Sequence, residues 1–231
     1  MYILSMVRLT SAHDRNGEPM ETITEPISAP TGAATTRRVL VLAASSLVLG
    51  GLTSYAQGFL PDALRSFANS ASGWTLLTVL LVLWSRTSPA AAALLAVAGF
   101  VLLVLGYMWV SDLRGYYFNP VYWCAVGVVT GPFVGLATAW LRTSGLRASL
   151  GTAALAGLGI GEGVYGLTVV RETTSPVYWV IIIVTGVALL AYQLARRIKG
   201  TAAITSTIAA TAAVAIAFTF GYPAIGSAVR L

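Results

Sequence analysis

Charge is what this sequence has least of. Only 10% of its 231 residues are charged, while 57% are hydrophobic. A soluble domain usually carries about a quarter charged residues, so there is too little polar surface here to cover a globule in water, and lipid has to be the solvent. Histidine and cysteine are nearly absent too. The one histidine, His13, lies in a polar amino-terminal stretch, and the one cysteine, Cys124, lies in an apolar run. A single cysteine excludes an intrachain disulfide, and no histidine is left to build a metal site or proton relay inside the membrane. A phosphate-binding Walker sequence, a Ser/His/Asp set and a Cys/His cluster are missing as well. These gaps point to a protein that is not an enzyme and uses neither cofactor nor metal. The net charge of +6 is spread through short loops rather than gathered into a basic stripe, which argues against nucleic acid as a partner.

Long apolar runs are what the chain has in quantity. They fall at roughly 39–60, 73–86, 89–110, 121–141, 147–170, 176–195 and 201–220. A membrane-crossing helix needs about 20 apolar residues, and six of these seven qualify directly. The short second run qualifies if its helix begins near Pro61, where proline suits a helix start, with polar turns from Asp62 to Ser72 facing a cavity. The expected fold is therefore an all-α membrane protein, a bundle of about seven transmembrane helices. A disordered cytoplasmic tail is expected over 1–36, the transmembrane domain over 37–222 and a short outer tail over 223–231. Met1 and Met20 both stand as possible starts. Arg37-Arg38 followed by an apolar run also has the grammar of a cleaved signal segment.

Basic residues set the orientation. With the amino terminus inside, the inner flanks hold Arg37, Arg38, Arg86, Arg142, Arg147, Arg196, Arg197 and Lys199. The outer ones hold Arg65, Arg114, Arg171 and Arg230, a bias of eight to four that follows the positive-inside rule. The expectation is a multi-pass protein of the cell membrane with a cytoplasmic amino terminus.

Two short motifs recur at one offset. Pro120-Val121-Tyr122-Trp123 returns as Pro176-Val177-Tyr178-Trp179, and Trp84-Ser85-Arg86-Thr87-Ser88 returns as Trp140-Leu141-Arg142-Thr143-Ser144, both 56 residues on. Three parallel helical hairpins after a first helix would produce this pattern. Interfacial Tyr-Trp and inner Arg are also what any membrane helix carries at those depths.

Glu162 is the one ionisable side chain well inside an apolar run. A carboxylate at that depth costs several kcal/mol unless it is paired, protonated or hydrated, which makes it a candidate ligand-binding residue. Tyr165 shares its helical face. The surrounding glycines form two interleaved small-xxx-small pairs, Gly157/Gly161 and Gly159/Gly163, suited to close helix contact. A sharper reading is a locally unwound helix, and Gly131-Pro132 at mid-run is a second candidate helix interruption. Near the outer ends, Gln57, Asn69, Asp112, Arg114 and Tyr116 supply hydrogen-bonding groups among aromatics, the usual lining of a small-molecule pocket. In that pocket Arg114 would attract an anionic or carbonyl group, and Glu162 a cation, a proton or an amine. On this reading Glu162→Gln leaves folding nearly unchanged.

The stretch Leu52-Thr53-Ser54-Tyr55-Ala56-Gln57-Gly58, then Leu60-Pro61, Ala68-Asn69-Ser70, Trp74, Gly106-Tyr107, Leu113-Arg114-Gly115-Tyr116, Gly131-Pro132, Trp140 and Glu162-Gly163 resembles a family of small multi-pass membrane proteins of actinobacteria. That family carries a domain of unknown function. The resemblance runs from residue 38 to about 170 and implies a membrane topology and a shared outer-face site. By size and topology the chain is also similar to the substrate-binding S components of energy-coupling factor vitamin transporters, which bind solute near the outer face. The expected function is binding or transport of a small-molecule solute from the outer face. The alternative is a non-enzymatic envelope factor, an assembly or immunity protein meeting membrane-protein partners through small-residue helix faces such as Ala203, Thr207 and Thr211.

Overall fold

The computed structural model describes the backbone of residues 32–228 and the side chains of residues 36–223. The chain divides into two units, 1–35 and 36–231, and the second holds the helical bundle. The expected cytoplasmic tail lies almost wholly outside the described residues, and so does Met20.

All described secondary structure is helical. The elements are α1 (Gly32–Phe59), α2 (Asp62–Arg65), a 3-10 turn (Ser66–Asn69), α3 (Ala71–Ser85), α4 (Pro89–Leu113), α5 (Val121–Trp140), α6 (Leu146–Thr168), α7 (Pro176–Arg196) and α8 (Thr201–Ala228). Local chemistry explains several ends. Pro89 and Pro176 sit in the first turn of α4 and α7, behind the capping serines Ser88 and Ser175, where proline's missing N–H is no loss. The tight turns into α6 and α8 use Gly145 at φ +66° and Gly200 at φ +90°, a region open to glycine without strain.

Large apolar side chains face outward along the helices. Leu94, Val129, Phe133 and Phe220 are 73%, 66%, 70% and 78% exposed, an arrangement that suits lipid and not water. Among the described residues five helices are long and apolar enough to cross a membrane, namely α1, α4, α5, α7 and α8. The pair formed by Asp62–Asn69 and Ala71–Ser85, bent by 68°, would be a sixth. Helix α6 is not among them, for a physical reason. It is surrounded: Gly151 lies against Ala137 and Trp140 of α5, Gly157 and Gly161 against α8, and Gly159, Gly163 and Gly166 against α7. A helix covered by other helices has no need of an apolar coat. It nevertheless runs the length of the bundle, from Trp140 to Trp179.

The two ends of the bundle differ. One carries the α3–α4, α5–α6 and α7–α8 turns and the cations Arg86, Arg142, Arg147, Arg196, Arg197 and Lys199. There Arg142 donates to the Thr87 carbonyl at 2.7 Å, Arg197 to the Arg142 carbonyl at 3.0 Å and Gln193 to the Leu141 carbonyl at 2.9 Å. The other end carries Tyr116, Tyr117, Trp123, Tyr178, Trp179 and the segment from α2 to the 3-10 turn. We call these the basic and aromatic ends.

Glycine sets the helix spacing. A Cβ on Gly50 would meet the Leu103 carbonyl oxygen at 2.0 Å, and one on Gly106 the Leu47 oxygen at 2.0 Å, so α1 and α4 touch backbone to backbone. Gly135 approaches Ala92 of α4 in the same way, with the oxygen 2.2 Å from its would-be Cβ. The two glycine pairs of α6 do what small-xxx-small pairs do, each for a different neighbour.

Several expectations need correction. Helix α5 continues as one helix through Gly131 and Pro132, with Gly131 packed on Val97 of α4. Nor is α6 unwound at its glycines. The interrupted element is instead the second apolar run, which bends sharply at Ser70 rather than forming one helix from Pro61. At the carboxyl end α8 continues through Pro223 to Ala228, replacing most of the expected tail. Finally, Thr207 and Thr211 are 1% and 3% exposed, so the face suggested for a partner protein is turned inward.

The backbone contact between α1 and α4 makes a test. Gly106→Val should lower the thermal midpoint in detergent by an amount matching about 3 kcal/mol, the upper end of overpacking costs. Gly221→Ala, with nothing within 4 Å of its new methyl, should not lower the midpoint and should raise it slightly, since alanine favours a helix interior by up to about 1 kcal/mol.

Candidate functional site

A helix begins with amide groups that no earlier turn can accept from. In α3 these are the N–H groups of Ala71, Ser72 and Gly73, and all three are met by side chains. Ser70, the capping residue, accepts from Gly73 at 2.9 Å. The other two reach across to α6. The Ala71 N–H donates to Glu162 Oε1 at 2.7 Å and the Ser72 N–H to Oε2 at 2.5 Å. Glu162 is 1% exposed, and both its oxygens accept from backbone amides. Among the described residues the one salt bridge is the exposed Arg65–Asp62 pair, so the balancing charge for Glu162 is not a side chain. It is the positive end of the α3 dipole, worth about half an elementary charge.

The segment leading into α3 is fastened on other sides. The Ser70 and Tyr178 hydroxyls share a hydrogen bond of 2.6 Å, and Tyr178 of α7 is 4% exposed. The Ala68 carbonyl accepts from Trp74 Nε1 at 3.0 Å and from Gln57 Nε2 at 3.3 Å. Gln57 Oε1 in turn accepts from the Tyr107 hydroxyl at 3.2 Å. Gly73 permits the bend: a Cβ there would stand 2.0 Å from the Phe67 carbonyl oxygen. Helices α1, α6 and α7 thus hold the chain from Ala68 to Ser72 in place.

Beside this junction, at the aromatic end, lies a cavity of about 230 Å³. Gln57, Asn69, Trp74, Tyr107, Phe118, Trp123 and Tyr222 form its upper part, and Phe100, Thr130, Val134 and Leu158 lie deeper. None of its lining side chains is a carboxylate or a cation. On α5 the lining runs from Trp123 to Val134, about 16 Å at the helical rise of 1.5 Å per residue. Thr75, 8% exposed, also lines it. Other threonines here return their hydroxyl to the preceding turn, as Thr78 does to Trp74 and Thr130 to Val126. Thr75 makes no such bond among those seen, which leaves its hydroxyl free for an occupant.

The chain matches DUF6518, a family of unknown function, over residues 29–227. It belongs to that family. No curated protein and no solved structure matches it. DUF6518 spans every element of the cavity and of the Glu162 junction, so both lie within the family's domain. The expected likeness to an uncharacterised domain family rests on this match.

Of the residues singled out from the sequence, Gln57 and Asn69 line the cavity. Tyr165 stands one ring behind it, edge-on to Tyr222 at 5.3 Å. Glu162 does not face the cavity. Both its oxygens are occupied by backbone amides, so it braces the wall rather than meeting a cation or an amine. Arg114 is also engaged elsewhere, donating to the carbonyl and hydroxyl of Ser54 on α1 and lying over the rings of Tyr55 at 4.8 Å and Tyr116 at 5.3 Å. Asp112 is exposed beside it, accepting through its carbonyl from Gly115 at 2.9 Å. Asp112, Arg114 and Tyr116 thus close the α1–α4 end and form no part of the cavity. Sequence reasoning overlooked Tyr178, Thr75 and the Ala71–Ser72 amides. Tyr178 reads as one more interfacial aromatic, and nothing in the sequence marks its link to Ser70, 108 positions away.

The geometry reverses one expectation about mutants. Glutamine offers one acceptor where glutamate offers two, and its NH2 would face a backbone N–H. Glu162→Gln should therefore destabilise the fold by about 2–3 kcal/mol, the cost of stranding a buried donor to a charged group. Unfolding in detergent with wild type in parallel measures this, and Glu162→Asp, shorter by one methylene, should fall between the two.

Proposed function

We propose that this protein binds a small uncharged solute in the cavity at its aromatic end, and that this end faces outward. The orientation follows from the cations at the opposite end and the positive-inside rule. On this reading α6 and the bent α2–α3 pair complete a seven-span bundle with its amino terminus in the cytoplasm. The observation that carries the reading is a cavity lined by aromatic rings and by uncharged polar groups at Gln57, Asn69 and Thr75, with no carboxylate or cation in its lining. Such a lining discriminates by shape and one or two hydrogen bonds, and disfavours ions, whose desolvation nothing there would offset. The anionic or cationic ligand suggested by Arg114 and Glu162 fits it poorly. Binding without chemistry is supported by the same lining, which brings no two reactive groups together.

Volume limits the solute. At water's share of about 30 Å³ per heavy atom, the cavity holds on the order of eight non-hydrogen atoms. Indole, planar, uncharged and of about that size, is a suitable probe. It should raise the thermal midpoint of the purified protein in detergent in a saturable way, and indole-3-acetate should not. Thr75→Trp, filling the cavity beneath the rings, should abolish the indole effect. Equal stabilisation by the charged analogue, or an effect that survives Thr75→Trp, would refute the reading.

A further inference from the structure

We infer that the ligand of this cavity is a bilayer-soluble amphiphile, with an uncharged polar end and an apolar body, that enters sideways from the membrane between α5 and α8. This rests on the proposed binding role and adds the ligand's class and its route.

Depth is the first reason. Helix α5 runs from Val121 to Trp140, and Thr130 is at its midpoint. Thr130 lines the cavity and is itself exposed, so the cavity is open at the level of the hydrocarbon core as well as at the aromatic end, where Asn69 is exposed. The neighbouring stripe of the same helix, Val129 and Phe133, is 66% and 70% exposed and faces lipid. Thr130 therefore stands on the border between cavity and bilayer. Nearer the aromatic end α8 contributes Phe218 and Tyr222, both half-buried, while Phe220 beside them is 78% exposed. One helix on each side thus turns from cavity-lining to lipid-facing within a residue or two.

The gradient of chemistry is the second reason. Polar groups gather toward the aromatic end, with the Asn69 amide at the mouth and the Thr75 hydroxyl below it. Toward the centre the lining becomes Phe100, Val134 and Leu158. The border itself is apolar in effect, because the Thr130 hydroxyl is spent on the Val126 carbonyl at 2.8 Å. A water-soluble solute would gain nothing from an opening at that depth. An amphiphile oriented like a lipid, polar end outward, matches both the gradient and the doorway. The cavity volume fits a body of about eight carbons on the same per-atom measure.

The test uses protein reconstituted in phosphatidylcholine vesicles with a diazirine analogue of 1-octanol, followed by irradiation and peptide mapping. Label is expected on the α5 stripe Val126–Thr130 and on Phe218 or Tyr222. Excess 1-octanol should reduce it at least fivefold, while glycerol and octanoate at neutral pH should not. Thr130→Trp should block the doorway and remove the cavity label. Val126→Trp, one turn away on the same stripe, is the second blocking variant if the first does not fold. Label spread evenly over lipid-facing positions such as Val129 and Phe220, with no competition, overturns the inference. So does competition by glycerol or octanoate equal to that by octanol. If indole still binds when octanol does not compete, the lateral route alone has failed. If neither binds, the proposed function has failed with it.

Discussion

A carboxylate enclosed by apolar helices needs positive charge close by, and in this protein a helix terminus supplies it. The two oxygens of Glu162 take the first two amides of α3, and much of the aromatic end depends on that junction. It fixes where α3 begins, and so where the chain from Pro61 must turn. Ser70 can then cap Gly73 and meet Tyr178, and the Ala68 carbonyl can receive Trp74 and Gln57. Ala71, Trp74 and Thr75 lie within the next turn and a half and form one wall of the cavity. Removing the carboxylate would leave two buried donors unpaired and detach α6 from the re-entrant segment. The energy lies in satisfying groups that have no water to turn to.

Spacing between the helices is governed by glycine in the same economical way. Between lipid-exposed helices there is little hydrophobic gain from association, so close packing has to do the work. Backbone contact at Gly50, Gly106 and Gly135 brings α1, α4 and α5 together, and the two glycine pairs of α6 seat α7 and α8 on one central helix. Burying α6 in this way makes room for a polar residue on it. Glu162 is flanked by Gly161, turned to α8, and Gly163, turned to α7, which leaves the face between them directed at α3.

How much of this could be read from the sequence follows from which interactions are local. Apolar runs and turn residues are local, and the seven long helices coincide closely with the seven runs. The glycine pairs of α6 were readable as packing devices because their spacing alone determines a face. The bend at Ser70 was not, because its cause lies in Glu162, 91 residues away from Ala71. Pro132 is a local signal too, but the helix assignment runs through it without interruption, so the position does not end the helix. Gln57 and Asn69 were recognisable as amides near an interface. Arg114 and Asp112 looked alike at that level, and only the positions of Ser54, Tyr55 and Tyr116 show that Arg114 is already occupied. Of the residues expected at one site, Gln57 and Asn69 line the cavity, while Glu162, Asp112, Arg114 and Tyr116 do not.

Hydrogen–deuterium exchange at the Ala71 and Ser72 amides measures the central junction directly. They follow the bend at Ser70 and precede the first turn's own hydrogen bonds, so without Glu162 they should exchange like a loop. The structure predicts protection comparable to the interior of α3, falling about 10–100-fold in Glu162→Gln, the factor for roughly 1.4–2.8 kcal/mol. Rapid exchange of both amides in the wild-type protein, or protection unchanged by the substitution, would contradict the account.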